Sequence, residues 1–181
     1  MKKIVAVINM TVDGYCDHTA ISPDEEVHQH YTELLRDADE ILYGRITYQL
    51  MEFWQTLVEN PSGERSLDDF AIAIDNISKI VFSNSLKNVE WQSAEVATKP
   101  LEVIVQDLKQ QPGKNVLVGS RSLIVTLLNL SLIDELQLCI HPVISGKGLP
   151  LFENISGRKV FKMLNIKYFK SGAVIHYYSF T

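Results

Sequence analysis

The sequence holds only two cysteines, Cys16 and Cys139, among 181 residues. That excludes a disulfide framework and an all-cysteine zinc site, and no metal is expected. It lacks a basic excess: 17 Lys and Arg against 22 Asp and Glu give a formal net charge of -5. An acidic surface repels phosphate backbones, so no nucleic-acid partner is expected. Long hydrophobic runs are missing too. The longest apolar region, Val116 to Ile144, is interrupted by Arg121, Asn129, Asp134 and Glu135, so no membrane span is expected. The apolar start after Lys2-Lys3 breaks at Asn9, Thr11 and Asp13, too early for a signal-peptide core. Repeats and low-complexity segments are absent. The expected setting is cytoplasmic. What is present is an ordinary globular mixture, 46% hydrophobic and 22% charged, at a length that favours one domain over residues 1–181.

Along the chain, strand and helix patterns alternate. Ile4 to Ile8 reads as a strand buried on both faces. Ser22-Pro23-Asp24-Glu25 reads as a helix start capped by Ser22, followed by a stripe of Val27, Tyr31, Leu34, Leu35 and Ala38. Ile41–Tyr43 is a strand, and Gly44 turns it into one helix ending near Val58. Another helix is expected from Leu67 to Ile77, capped by Ser66 with Asp69 three residues on. Lys79 to Ser83 is a strand, and Pro100 opens a helix that Gly113 stops. Val116-Leu117-Val118 is a strand, followed by Gly119-Ser120 and a helix to about Leu130. Glu135 to His141 is a strand closed by Pro142. Met163–Phe169 and Ala173–Phe180 flank Ser171-Gly172 as a hairpin. The expected fold is α/β, with a mostly parallel mixed sheet flanked by helices and a C-terminal antiparallel hairpin.

Two junctions invite chemistry: Tyr43-Gly44-Arg45-Ile46-Thr47 and Val118-Gly119-Ser120-Arg121-Ser122. In each, a buried strand ends, a glycine turns the chain, and a helix starts with hydroxyl and guanidinium groups. Helix starts have unpaired amides and a positive dipole end, which attract anions. Parallel strands set both starts on one sheet edge, where two anion sites suit a pyrophosphate. The plainer reading is that any strand-to-helix turn favours such residues. Neither junction matches the usual dinucleotide or P-loop glycine pattern. Among the bases, Arg45 is the candidate for a 2'-phosphate, with Lys87 as helper. His28 and His30, two apart on one helix, cannot readily share a metal. His141 and His176 read as satisfied or edge strand histidines rather than ligands. Trp54 and Phe53 read as core aromatics, with Trp54 as a possible pocket wall.

Asp13-Gly14, Gly44-Arg45-x-Thr47-Tyr48, Val118-Gly119-Ser120, Leu132-Ile133-Asp134-Glu135-Leu136, Pro142-Val143-x-x-Gly146-x-Gly148 and Leu151-Phe152 occur in an order that resembles the dihydrofolate reductase superfamily. Within it, the chain is similar to the RibD C-terminal (pyrimidine reductase) branch. The resemblance implies that fold, NADPH as hydride donor, a homodimer, and a small-molecule substrate. The function it implies is similar to that of 5-amino-6-(5-phosphoribosylamino)uracil reductase of riboflavin biosynthesis, and Lys147 either reaches such a substrate's phosphate or is a solvated loop lysine. It assigns Gly44, Arg45 and Thr47 to the cofactor phosphates and Ser83 and Asn84 to the adenosine ribose or its 2'-phosphate. Val118, Gly119, Ser120 and Leu123 fall to the pyrophosphate and nicotinamide side. Ile8 and Asn9 border the nicotinamide, with Asp13 and Gly14 in the loop closing over it. The second junction has fewer glycines than the family's usual pattern, so Ser120 and Arg121 either crowd the pyrophosphate or bind it. Folate reducers keep an acid on the first helix; here that position falls near His28, with Asp24 as a displaced candidate or as a partner of the helix dipole. The alternative to a reductase is a nucleotide- or pterin-binding module on the same fold without turnover.

Overall fold

The computed structural model describes residues 1–180; Thr181, last of the expected domain, lies outside them. Eight strands form one sheet: β1 (Ile4–Thr11), β2 (Ala38–Gly44), β3 (Ser78–Phe82), β4 (Ala94–Val96), β5 (Asn115–Val118), β6 (Glu135–His141), β7 (Phe161–Tyr168) and β8 (Val174–Phe180). Their order is β4-β3-β2-β5-β1-β6-β8-β7. Strands β1 to β6 pair in parallel, while β8 lies antiparallel to β6 and β7. Six helices cover the faces: α1 (Glu25–Arg36), α2 (Arg45–Met51), α3 (Phe53–Glu59), α4 (Arg65–Asn76), α5 (Leu101–Gln110) and α6 (Arg121–Asn129).

The central strands read as continuous apolar runs because both faces are covered. Alternate residues point to opposite sides. Ile4 and Ala6 of β1, with Val116 and Val118 of β5, meet Val105 and Leu108 of α5 and Ile124, Leu127 and Leu128 of α6. Val5, Val7 and Leu117 face the other way, toward Leu35 of α1 and Ala73 and Ile74 of α4. Fully burying one such side chain stabilises the fold by ~1.5–3 kcal/mol.

The expected fold class holds, and several boundaries are corrected. Helix α1 starts two residues later than Pro23, and its cap is Asp24, whose Oδ1 accepts from the Val27 amide at 2.9 Å. The single helix expected over residues 44–58 is divided at Glu52, where the Gln55 amide bonds to Glu52 O three residues back. Ser66 does not cap α4. Instead Asp68 reaches back to the Ser62 and Gly63 amides and to the Ser62 hydroxyl. Strand β4 carried no apolar signal: three residues at a sheet edge bury little. Helix α5 ends at Gln110, before Gly113. At Gly113 a side chain would run into Asp39 and Lys2.

Candidate functional site

All the parallel strands end on one edge, and the two glycine turns meet there. The Gly44 amide donates to Ser120 Oγ at 2.8 Å. A Cβ at Gly44 would lie 3.3 Å from Ser122 Oγ, and one at Gly119 would lie 3.0 Å from Tyr43 Cε1. A side chain at Gly119 would press on the buried Tyr43 ring, and one at Gly44 would push Ser122 Oγ aside by a few tenths of an ångström; neither position has an unusual φ. Helices α2 and α6 start at this contact, and neither start is capped by a side chain. Arg45 is exposed, with one guanidinium nitrogen donating to Gln49 Oε1 at 3.1 Å.

Ser120 and Arg121 are placed differently from each other. The Ser120 side chain is 1% exposed and clasps the first junction rather than filling the space outside it. Arg121 is turned away: Nε donates to Pro150 O and Nη2 meets Glu153 Oε2, both at 2.7 Å. It therefore supplies no open cation to the junction, which corrects the reading of an arginine at each. Val118 and Leu123 lie in the core between the sheet, α5 and α6. They could shape the junction only from behind.

Beside the junction lies a cavity of about 590 Å³. Its walls come from Ile8 and Asn9 of β1, His28 and Tyr31 of α1, Thr47 and Leu50 of α2, Trp54 of α3, Phe70 of α4, and Gly119. The Trp54 ring meets Phe70 edge-on at 4.5 Å between centroids, and His28 sits 5.9 and 5.8 Å from those two rings. So Trp54 does wall a pocket. Nδ1 of His28 lies 3.1 Å from the Asp24 carbonyl oxygen. A carbonyl only accepts, so Nδ1 carries the proton and Nε2 remains an acceptor. Burial lowers the His28 pKa, against the raising effect of that bond. Oδ1 of Asn9 accepts from the Tyr31 hydroxyl at 3.2 Å and from Nε2 of His141 at 2.9 Å. The donor on Asn9, its amino group, is left for the cavity.

Asp24 is not on the cavity wall. Burial would raise its pKa, but the Val27 amide and the Ser171 hydroxyl outweigh that and hold it low. Its role is the helix cap, and His28 alone of the two expected acid positions borders the cavity.

The cavity mouth is bordered by two interlocked loops. Asp13 accepts from the Thr11 hydroxyl at 2.6 Å and from the Ser145 and Gly146 amides at 3.1 and 2.7 Å. The bond from Thr11, with those amides outweighing desolvation, lowers its pKa to about 2. Asp17 takes the Leu149 amide, Leu149 O takes the Cys16 amide, and Gly14 O takes the Leu151 amide. Gly14, at φ +90°, makes the turn a bulkier residue would strain.

A second cavity, about 570 Å³, lies at the ends of β3 and β4, lined by Ser83, Asn84, Thr98, Lys99 and the start of α5. Ser83 Oγ accepts from the Leu86 amide at 2.9 Å, which shapes the turn. Helix α5 also starts without a side-chain cap. Lys99, paired with Asp107 at 2.8 Å, is the base at this cavity; Lys87 does not line it. Sequence reasoning missed Lys99 because β4, which delivers it, was missed.

Among the described residues, no group of three or more His, Cys, Asp or Glu could hold a metal, and no helix is long and apolar enough to cross a membrane. His30 points away from His28, toward Phe169 and Lys167. Lys147 is exposed on its loop.

The family model described as the RibD C-terminal domain matches residues 2–176. The chain is similar to the Bacillus subtilis protein YyaP, at 34% identity over 96% of this chain and 92% of that one. In structure it resembles the Thermotoga maritima diaminohydroxyphosphoribosylaminopyrimidine deaminase/5-amino-6-(5-phosphoribosylamino)uracil reductase (TM-score 0.68, 19% identity, 99% of this chain, 57% of that one). It also resembles the Enterococcus faecalis dihydrofolate reductase complexed with NADP(H) (TM-score 0.66, 14% identity, 99% and 96%). At these identities the two structural matches speak for the fold.

Proposed function

Because the chain belongs to the RibD C-terminal domain family, we propose that it is an NADPH-dependent reductase of a small heterocyclic substrate. The observation that supports this most is the contact between the two glycine turns, next to a cavity bounded by the end of β1. Uncapped amides of α2 and α6, with Arg45 and Thr47, form an anion cradle. In this reading the cradle holds the pyrophosphate. Ser83, Asn84, Lys99 and the start of α5 hold the adenosine side, and Ile8 and Asn9 border the nicotinamide. Bound there, NADPH supplies a hydride to an electrophilic carbon of the substrate. The chain's residues orient the substrate and exclude water. The Asp13–Gly146 contact fastens the loops at the mouth, and the apolar walls lower the local dielectric.

We read residues 1–181 as one domain acting in the cytoplasm. In this reading a second copy pairs along β7, an edge strand that leaves Leu164, Ile166 and Tyr168 exposed, which supports the pairing.

Calorimetric titration with NADPH and NADH tests the reading. Binding is expected, tighter for NADPH, and Arg45→Ala should weaken it about tenfold, as loss of a charged hydrogen bond does. No binding of either nucleotide at millimolar concentration would refute it. A binding module without turnover is the second reading, favoured by the absence of a carboxylate from α1 on the cavity wall. NADPH that binds but is never oxidised with any ring compound tried supports that reading.

A further inference from the structure

The cavity's chemistry goes further than the family's name. Its walls are largely apolar, from Ile8, Ile46, Leu50, Trp54 and Phe70. The one aspartate and the one arginine that border it are already engaged. Arg121 is held by Pro150 O and Glu153, and Asp17 takes the Leu149 amide. The loops beside the mouth add carboxylates at Asp13 and Glu153, each held in place by hydrogen bonds. With the cradle at the starts of α2 and α6 filled by the nucleotide, a phosphate entering here would be stripped of water with no unpaired Lys or Arg on the walls to receive it, which costs heavily. Besides Thr47 and His18, which also line the cavity, two complementary polar groups are left for a ligand. Nε2 of His28 accepts, because its other nitrogen donates to the Asp24 carbonyl. The Asn9 amino group donates, because its oxygen is saturated by Tyr31 and His141.

We propose that this cavity takes an uncharged, predominantly apolar ring compound, with an N–H or O–H donated to His28 Nε2 and an acceptor facing the Asn9 amide, and rejects phosphorylated pyrimidines. This rests on the reductase reading only in taking the cavity as the substrate site. It narrows the substrate class away from the phosphoribosylamino-uracil named for the Thermotoga protein.

The test reads the two steps separately. Trp54 is in the cavity wall, whereas the other tryptophan, Trp91, is buried elsewhere against Lys79. Trp54 fluorescence is therefore a direct reporter of cavity occupancy. The probes are quinoxalinone, a neutral bicyclic lactam with one donor and one acceptor edge, uridine, and uridine 5'-phosphate, each with and without saturating NADPH. Quinoxalinone is expected to quench saturably, and the signal to vanish in Trp54→Phe. Uridine 5'-phosphate is expected to bind at least tenfold more weakly than quinoxalinone and no better than uridine. His28→Leu should weaken quinoxalinone about tenfold, while His28→Gln, which keeps an acceptor, retains more of the affinity. Uridine 5'-phosphate binding as tightly as quinoxalinone, or quinoxalinone failing to bind at millimolar concentration, would overturn the proposal. Quinoxalinone binding in a protein that takes up no NADPH would sink the reductase reading and support this one.

Discussion

At His28 and His30, neighbours on one helix meet opposite environments and acquire opposite uses. His28 borders the cavity; His30 is buried beside Lys167, with burial first and that lysine second lowering its pKa to about 4. The unfolded chain, with an ordinary value near 6.5, binds more protons between pH 6.5 and 4. Stability should therefore fall with pH across that window, by about 2 kcal/mol between pH 7 and pH 5 from this group alone. Urea unfolding at both pH values checks it, and His30→Gln should flatten the difference. Asp13 gives a second test at this scale. Its pKa of about 2 keeps its contacts with Ser145 and Gly146 intact through the ordinary range. Asp13→Ala should speed hydrogen exchange at the Ser145 and Gly146 amides while leaving global stability nearly unchanged. The sequence could suggest that His28 stands where folate reducers keep an acid. It could not reveal that Arg121 is taken by Glu153, because that pairing joins residues 32 apart through a loop of no regular pattern.

The elements differ in how plainly the sequence announces them. Strands β1, β5 and β6 were legible because two-sided burial demands unbroken apolar runs. Strand β4 and the start of α4 were not, since an edge strand and a side chain reaching backward along the loop leave little periodic trace. Helix α4 ends on an unexpected device. Lys79, 1% exposed, donates to Asp75 O, Ile77 O and Ser93 Oγ at 3.2, 2.9 and 2.6 Å, with its ammonium 4.0 Å from the Trp91 ring centre. It ties the carbonyls at the end of that helix to the following strands. Lys79→Met should cost ~1–3 kcal/mol, measured by chemical denaturation, because buried carbonyls lose their donor. The junction between β2 and β5 is as demanding. Gly119→Ala places a methyl 3.0 Å from Tyr43 Cε1. It should cost ~1–3 kcal/mol by overpacking and weaken NADPH binding with it, read by thermal shift with and without the nucleotide.

For the whole molecule, the alternation of strand and helix, closed by a hairpin, was enough to place the layers and the antiparallel edge. It was also enough to predict that the two glycine turns share a sheet edge, and they touch. What no local pattern could supply was the cavity's polarity, which depends on side chains from β1, α1, α2, α3 and α4 converging. The hairpin edge carries one more expectation. With Leu164, Ile166 and Tyr168 exposed on β7, the proposed dimer should fall to a monomer in Leu164→Lys by light scattering; a monomeric parent protein, or an unchanged mass in the variant, would refute the pairing along β7.

The interlocked loops at the cavity mouth join segments far apart in the chain, Asp13 to Gly146 across 133 positions. A growing polypeptide would thus emerge with the floor of its pocket long before the part that roofs it. Until residue 151 leaves the ribosome, the early loop has nothing to fasten to. Ligand capture would then wait for the later loop rather than help the earlier one to fold.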